Sequence, residues 1–251
     1  MLLSDRMKAV VGLVQPCNSI ADIGCDHGYV AIELVRNNLC RHVIAMDVHK
    51  GPLERAKDNI KAYKMQDFIE TRLSDGTKAL YINEAEGIVC AGMGGKLTIS
   101  ILEQGKKLVR EMKQVILQPQ SEINEVRAYL RKNGFAIEKE DMIYEDGKYY
   151  SMMRALPKTS YEIPFESAKM SKEEQERFVR VQDTYGHYLL KMSHPILKKY
   201  LQVQKKNLES IRRNLLEQKQ STQRQQERIA QLEEELGDIV FCLYYFFDCV
   251  L

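Results

Sequence analysis

The strongest constraint on the fold is a rhythm. Between Ile20 and Pro119 five short apolar runs recur, and four of them stop at a turn on a carboxylate or a glycine. The first, Ile20-Ala21-Asp22-Ile23-Gly24, turns through Cys25-Asp26-His27-Gly28 and opens a helical pattern at Tyr29-Val30-Ala31-Ile32-Glu33-Leu34. The second, 42–47, ends on Asp47, with a helix expected over 52–62. The third, 69–73, runs into Ser74-Asp75-Gly76. The fourth, 87–91, leads into Gly92-Met93-Gly94-Gly95 and a helix over 96–109; the fifth, 114–119, precedes a helical stretch over 122–133. Ahead of the series, Ser4 or Asp5 caps a helix carrying Met7, Val10, Val11 and Val14 on one face. After it, 135–144, the turn Glu145-Asp146-Gly147 and 148–155 read as an antiparallel hairpin.

Five βα units followed by a hairpin specify an α/β domain with a doubly wound, mostly parallel sheet, whose ligands sit at the carboxyl ends of the strands. The junction at Gly24-Cys25-Asp26-His27-Gly28 points backbone N–H groups and the positive end of a helix at whatever lies above it. Asp47 follows Gly28 by about 20 residues, the distance at which an acid closes on a ribose in nucleoside-binding units. With Val48 beside it, Asp47 is the candidate for the ribose hydroxyls. Asp75, between Ser74 and Gly76, is the candidate for an adenine amine. Asp22, Gly24, Cys25, Asp26, Gly28, Ala91 and Gly92 complete the candidate cofactor site. Asp26 stands where a Gly-x-Gly-x-x-Gly loop has a glycine. A carboxylate there repels a pyrophosphate but accommodates a cationic amino-acid end. The loop therefore favours S-adenosylmethionine over a dinucleotide, and a nicotinamide-dependent dehydrogenase is the weaker reading.

An apolar share of 44% over 251 residues supports a packed core and a further domain. The six cysteines show no Cys-x-x-Cys spacing, and no His/Cys cluster has ligand spacing. Reduced thiols of a cytoplasmic protein are expected, with no metal. No signal peptide opens the chain and no apolar run approaches the roughly 20 residues of a membrane span, so no membrane association is expected. The apolar stretch 239–247 should pack against other elements. Net charge is only +2, so any affinity for nucleic acid rests on how charge is distributed. Beyond Pro157 the chain turns polar and helical. Leu201, Leu208, Leu215, Ile229 and Leu236 recur at heptad spacing, joined by Ile211, Leu232 and Ile239, which describes a coiled-coil seam. The seam lapses through Gln218, Thr222 and Gln225. An antiparallel pair of helices is the expected result, with one long dimerising helix as the alternative. Beside the seam, Lys198, Lys199, Lys205, Lys206, Arg212 and Arg213 form a basic stripe about 40 Å long. It suits an RNA backbone; interhelical pairing with Glu227, Glu233, Glu234 and Glu235 is the competing use.

Asp22-Ile23-Gly24-Cys25-Asp26-His27-Gly28-Tyr29, Gly51-Pro52-Leu53, Ser74-Asp75-Gly76, Ala91-Gly92-Met93-Gly94-Gly95, Ile116-Leu117-Gln118-Pro119 and Gly147-Lys148-Tyr149-Tyr150 together resemble the bacterial TrmK family of tRNA (adenine-22-N1)-methyltransferases. The resemblance spans roughly residues 2–155. It implies a class I Rossmann-like methyltransferase domain with a seven-stranded sheet, S-adenosylmethionine as methyl donor, and a C-terminal helical coiled-coil domain that helps hold tRNA. The expected division is 1–157 and 158–251, in a monomer or in a dimer through the coiled coil. Two positions depart from the family pattern: Gln120 replaces an Asn after Pro119, and Tyr185-Gly186-His187 replaces Phe-Gly-Pro. For the reaction so implied, Asp26 is the candidate to stabilise positive charge developing on the base. His27 and Tyr29 would aim the base, with Met93 or Tyr29 as its apolar rest. Gly92, Gly94 and Gly95 would let it approach closely. Arg6 would grip a phosphate or carboxylate, with Gln118 and Pro119 among the substrate contacts. Competing readings are a small-molecule N-methyltransferase and a non-catalytic RNA-binding protein of the same fold.

Overall fold

The structure, a computed structural model, describes residues 3–157, 171–218 and 222–249. The chain divides into two compact units, Met1–Pro164 and Phe165–Leu251.

In the N-terminal unit, helix α1 (Asp5–Val11) precedes strand β1 (Cys17–Ile23). Then follow α2 (Tyr29–Arg36), β2 (Cys40–Asp47), α3 (Lys50–Ala62) and β3 (Ile69–Leu73). After these come β4 (Gly87–Met93), α4 (Gly95–Gln104), α5 (Lys106–Val109), β5 (Gln114–Pro119), α6 (Ile123–Lys132), β6 (Ala136–Glu145) and β7 (Lys148–Leu156). The seven strands lie in the order β3-β2-β1-β4-β5-β7-β6, with β1 to β5 parallel and β7 antiparallel to both neighbours. Each face of this sheet carries its own apolar core. Val10 and Val11 of α1, Leu34 of α2 and Leu53, Ala56 and Ile60 of α3 pack on one side. Ile101 and Leu102 of α4, Val109 of α5 and Val126 and Leu130 of α6 pack on the other. β5 is buried along its whole length, as a central strand covered on both faces requires.

The rhythm is therefore correct in its strands but not in every crossover. Between β3 and β4 the chain makes turns only, with no helix. The segment is short and is broken by left-handed residues, Gly76 at φ 62° and Asn83 at φ 65°. The single helix expected over 96–109 is two, split at Gly105, where a Cβ would lie 2.5 Å from the Thr77 hydroxyl. Close approach of that turn to the β3–β4 segment breaks the helix. Asp146 (φ 49°) and Gly147 (φ 78°) form the two-residue hairpin turn that Asp-Gly favours. Behind the hairpin, Arg127 of α6 is buried with Glu140 at 2.8 Å and donates to the Ser151 hydroxyl at 2.9 Å.

The C-terminal unit contains α7 (Lys172–Tyr185), α8 (His187–Lys191), α9 (Pro195–Leu216) and α10 (Gln223–Phe247). Capping boxes at Ser171/Glu174 and Thr222/Gln225 start α7 and α10. α9 and α10 run antiparallel: Arg212 pairs with Glu233 at 2.9 Å, while the Ser193 hydroxyl donates to the Phe246 carbonyl. One long helix does not form, because α9 stops at Leu216 and α10 restarts inside the polar lapse. Residues 219–221, at the centre of that lapse, lie outside the described residues. Leu201, Leu208, Leu232 and Ile239 are buried in the seam; Leu215, Ile229 and Leu236 are half-buried. Ile211, expected in the seam, is instead 43% exposed. The apolar stretch closes α10, where Phe241, Tyr245 and Phe246 surround Phe178 of α7 at 5.2, 5.4 and 6.2 Å between ring centres. Among the described residues no helix is long and apolar enough to cross a membrane, and no group of three or more acids, histidines or cysteines is placed to hold a metal.

Candidate functional site

Strand order reverses direction at β1, whose neighbours are β2 on one side and β4 on the other. In such sheets the crevice at the carboxyl ends of the two diverging strands takes the ligand. Here that crevice is a cavity of about 260 Å³, walled by the β1–α2 loop, the end of β4 and Arg6 of α1.

Asp22, near the end of β1, is 3% exposed, and its Oδ2 has no hydrogen-bond partner. The carboxylate also accepts the amide of Ala31, in the first turn of α2, but that does not offset its environment. Burial first, and the charge of Asp47 second, push its pKa up to about 7. An acceptor buried without a donor costs free energy, so this oxygen marks where a ligand donor fits. The loop above is tied to β2, because Gly24 N and Cys25 N both donate to the Met46 carbonyl, at 2.8 and 2.9 Å. Asp47, also buried, accepts from Asp26 N at 3.2 Å and from His49 N at 2.9 Å. Each oxygen carries two lone pairs and retains acceptor capacity. Burial, with the surrounding carboxylates, pushes the Cys25 thiol well above its usual range, so it is a neutral wall residue.

Asp26 takes the left-handed conformation at φ 47°, which Asp tolerates better than most residues. Its side chain is 61% exposed and is held by Arg55 of α3 at 3.2 Å, with His27 Nε2 3.6 Å away. His27 and Tyr29 are stacked, ring centres 5.7 Å apart. The His27 carbonyl accepts from Asn59 at 2.9 Å, so the residue braces the loop through its backbone while its ring lines the cavity. Gly28 (φ 71°) starts α2 so close to α3 that a Cβ would lie 3.2 Å from Ala56 Cβ.

On the β4 side, Gly92 has φ 83°, and its N–H donates to Gln118 Oε1 at 3.1 Å. The same oxygen accepts Arg6 Nη1 at 2.7 Å. Arg6 also lies 5.6 Å from the Tyr150 ring centre, and Glu145 at the hairpin tip accepts the Asp5 and Arg6 amides. The Met93 side chain folds back over Gly24, where an added Cβ would meet its methyl. Met93 thus both lines the cavity and packs on the core beneath α4.

Asp22, Gly24, Cys25, Asp26, His27, Tyr29, Ala91, Gly92, Met93 and Arg6 are therefore gathered around one cavity. Gly94 and Gly95 are not part of its wall. They lie against Ser121 and Glu122, where a Cβ on Gly95 would stand 2.5 Å from the Ser121 carbonyl. Pro119 ends the buried strand β5. Ser74 is spent internally, accepting from Ala79 N at 3.1 Å and donating to the Gly76 carbonyl at 2.9 Å. Asp75 and Val48 are exposed, and Asp75 pairs with Lys78. Arg55 and Asn59 carry no signal in the sequence, because nothing in α3 marks the face that bears them as turned toward the loop. Gln120, noted only as a departure, lines the cavity.

In the C-terminal unit the basic stripe separates into two rows. Lys198, Lys205 and Arg212 flank the α9/α10 seam and are half-buried, whereas Lys199, Lys206 and Arg213 are exposed. Of the four glutamates on α10, Glu233 pairs with Arg212. Glu234 pairs with Arg180, Glu235 with Arg228, and Glu227 accepts from Gln223.

A seven-stranded, mostly parallel sheet with an antiparallel terminal hairpin and a cavity at its switch point describes a class I methyltransferase. The pattern of the family described as "Methyltransferase domain" matches residues 3–153, and the chain belongs to that family. Proteins similar to it include bacterial tRNA (adenine-22-N1)-methyltransferases. The chain is 34% identical over 153 residues to the tRNA (adenine(22)-N(1))-methyltransferase of Bacillus subtilis, an alignment spanning 61% of this chain and 64% of that protein's length. The solved structure of the B. subtilis m1A22 tRNA methyltransferase TrmK superposes with a TM-score of 0.80 at 26% identity, covering 96% of this chain and 99% of that one. The putative tRNA (m1A22) methyltransferase Sp1610 of Streptococcus pneumoniae, solved with S-adenosyl-L-methionine, superposes at 0.79 with 26% identity, covering 96% of this chain and all of that one.

Proposed function

We propose that this chain methylates N1 of adenine 22 in bacterial tRNA, in the cytoplasm, with S-adenosylmethionine as donor. The observation that carries the reading is the unpaired Asp22 oxygen in the switch-point cavity, in a chain of this kinship. The residues present fit the donor. Asp22 would take its α-ammonium, Asp47 its ribose, and Asp75 its adenine. When bound it supplies an electrophilic methyl group on a sulfonium.

The rest of the work is positioning and electrostatics. Neutral adenine N1 already carries the attacking lone pair, so no base is required at that atom. The stacked His27 and Tyr29 rings and the Met93 thioether offer the surface on which an unstacked base rests. Gly92 adds no side chain to the wall, and its amide is fixed by Gln118. Methylation leaves positive charge on the ring, and the Asp26 carboxylate at the cavity stabilises it. Arg6, locked by Gln118, Glu145 and Tyr150, is positioned for a phosphate.

Incubation with labelled S-adenosylmethionine and unmodified bacterial tRNA should yield 1-methyladenosine; transfer to a metabolite but not to tRNA would reject the reading. The C-terminal stripe would follow the phosphate backbone, since Lys199, Lys206 and Arg213 present an exposed row beside the seam. Replacing Lys198, Lys199, Lys205, Lys206, Arg212 and Arg213 by Ala should weaken tRNA binding and flatten its salt dependence by roughly 0.7–0.9 in log–log slope per lost phosphate contact. Cofactor affinity should not change. Unaltered tRNA affinity in titrations across salt would remove the stripe from the interface.

A further inference from the structure

At the end of the sheet away from the cavity, β1 and β2 each begin on a cysteine. Cys17 and Cys40 are register partners on adjacent parallel strands, and their sulfurs lie 3.7 Å apart. Neighbouring strands are spaced about 4.8 Å apart, which puts paired α-carbons within the range a disulfide spans. The two thiols are unequal. Cys17 is half-buried and reachable, whereas Cys40 is 4% exposed and sits in the floor of a surface cavity of about 590 Å³ lined also by Val35, Met65 and Phe68. Contact between the two sulfurs lowers the Cys17 pKa and raises that of Cys40; Lys113 assists at Cys17 and Glu86 opposes. A readily ionised, accessible thiol in contact with a second, protonated thiol is the arrangement that captures peroxide reversibly.

We infer that Cys17 and Cys40 form a hydroperoxide-reactive dithiol that closes to a disulfide between β1 and β2. In the first step the Cys17 thiolate attacks the O–O bond. An S–O bond forms, the leaving oxygen takes a proton and departs as water or an alcohol, and Cys17 becomes a sulfenic acid. In the second, the Cys40 sulfur attacks the Cys17 sulfur. The S–S bond forms, and hydroxide leaves with the Cys40 proton as water. The two thiols lose two electrons and the peroxide gains them. Burial holds the Cys25, Cys90 and Cys242 thiols protonated. Structural disulfides are rare in reducing compartments, so the free pair observed is the resting state and the bridged pair its oxidised form.

The test uses the full, reduced chain, treated with one equivalent of hydrogen peroxide, alkylated, and read by intact mass and peptide mapping. Expected are a mass loss of two hydrogens and one cross-linked pair of peptides carrying Cys17 and Cys40. Dithiothreitol should reverse the change, and the far-ultraviolet circular dichroism should stay constant. In Cys40→Ser, Cys17 should stop at the sulfenic acid and be captured by dimedone. Alkylation of both residues in protein oxidised elsewhere would overturn the inference. So would sulfinic or sulfonic acid at Cys17 without a cross-link, or absence of the dimedone adduct in Cys40→Ser.

Discussion

Replacing Asp22 by Asn is expected to weaken S-adenosylmethionine binding by roughly 10²- to 10³-fold, the range for removing one partner of a buried charge pair, and to raise the stability of the ligand-free protein at pH 8. Both effects come from one unpaired oxygen. In the folded chain burial and the neighbouring Asp47 lift the Asp22 pKa to about 7, against an ordinary value near 3.9. The folded state thus holds this proton more tightly than the unfolded state. The group's contribution to stability is full below about pH 4, declines as pH rises toward about 7, and stays lost above that. Asn carries no charge to bury, so the gap between variant and wild type should open across that window to roughly 2–4 kcal/mol. Thermal melts from pH 4 to 8 read this directly. By the same ionisation, wild-type affinity for the cationic donor should rise through about pH 7, and the variant's should not. Titration calorimetry showing equal affinity in both proteins would remove Asp22 from the cofactor site.

The second large effect is expected at Asp26. Asp26→Asn should slow methyl transfer about 10²-fold, the order seen when one preorganised electrostatic group is removed, with cofactor affinity and melting temperature little changed. Asn is the informative replacement because it tolerates the left-handed backbone at φ 47°, where Ala would add strain. Arg55, at 3.2 Å, tempers the carboxylate's charge, and exposure of the side chain screens it in the free protein. The effect should therefore fall on turnover, once a bound base displaces water from the carboxylate, more than on binding. Single-turnover rates with saturating tRNA distinguish the two; unchanged turnover would return Asp26 to the role of loop residue.

These residues differ in how far the sequence announced them. Strand ends were legible because a parallel sheet buried on both faces demands continuous apolar runs, and Gly24 and Asp47 stand where β1 and β2 stop, whereas β4 continues through Gly92 to Met93. The missing helix between β3 and β4 was not legible, since a short polar segment fits a turn or a helix until the Gly76 and Asn83 conformations are known. Of the glycines around the end of β4, Gly92 faces the cavity, but Gly95 is required by the Ser121 carbonyl, a contact between segments distant in sequence. Arg55 and Glu145 act on Asp26 and Arg6 only through tertiary proximity. Asp22 carried a signal that spacing could not rank: its importance lies in being left without a donor, which only packing reveals.

For the proposed transfer, a base at one position of tRNA reaches the cavity between β1 and β4. Two transcripts of one bacterial tRNA, identical except for adenine or guanine at nucleotide 22, should be incubated with the protein and labelled S-adenosylmethionine, and the product nucleoside mapped. The expected result is 1-methyladenosine at nucleotide 22 in the first transcript and no transfer to the second. Equal transfer to both, or a methyl group mapped to another nucleotide, would contradict it.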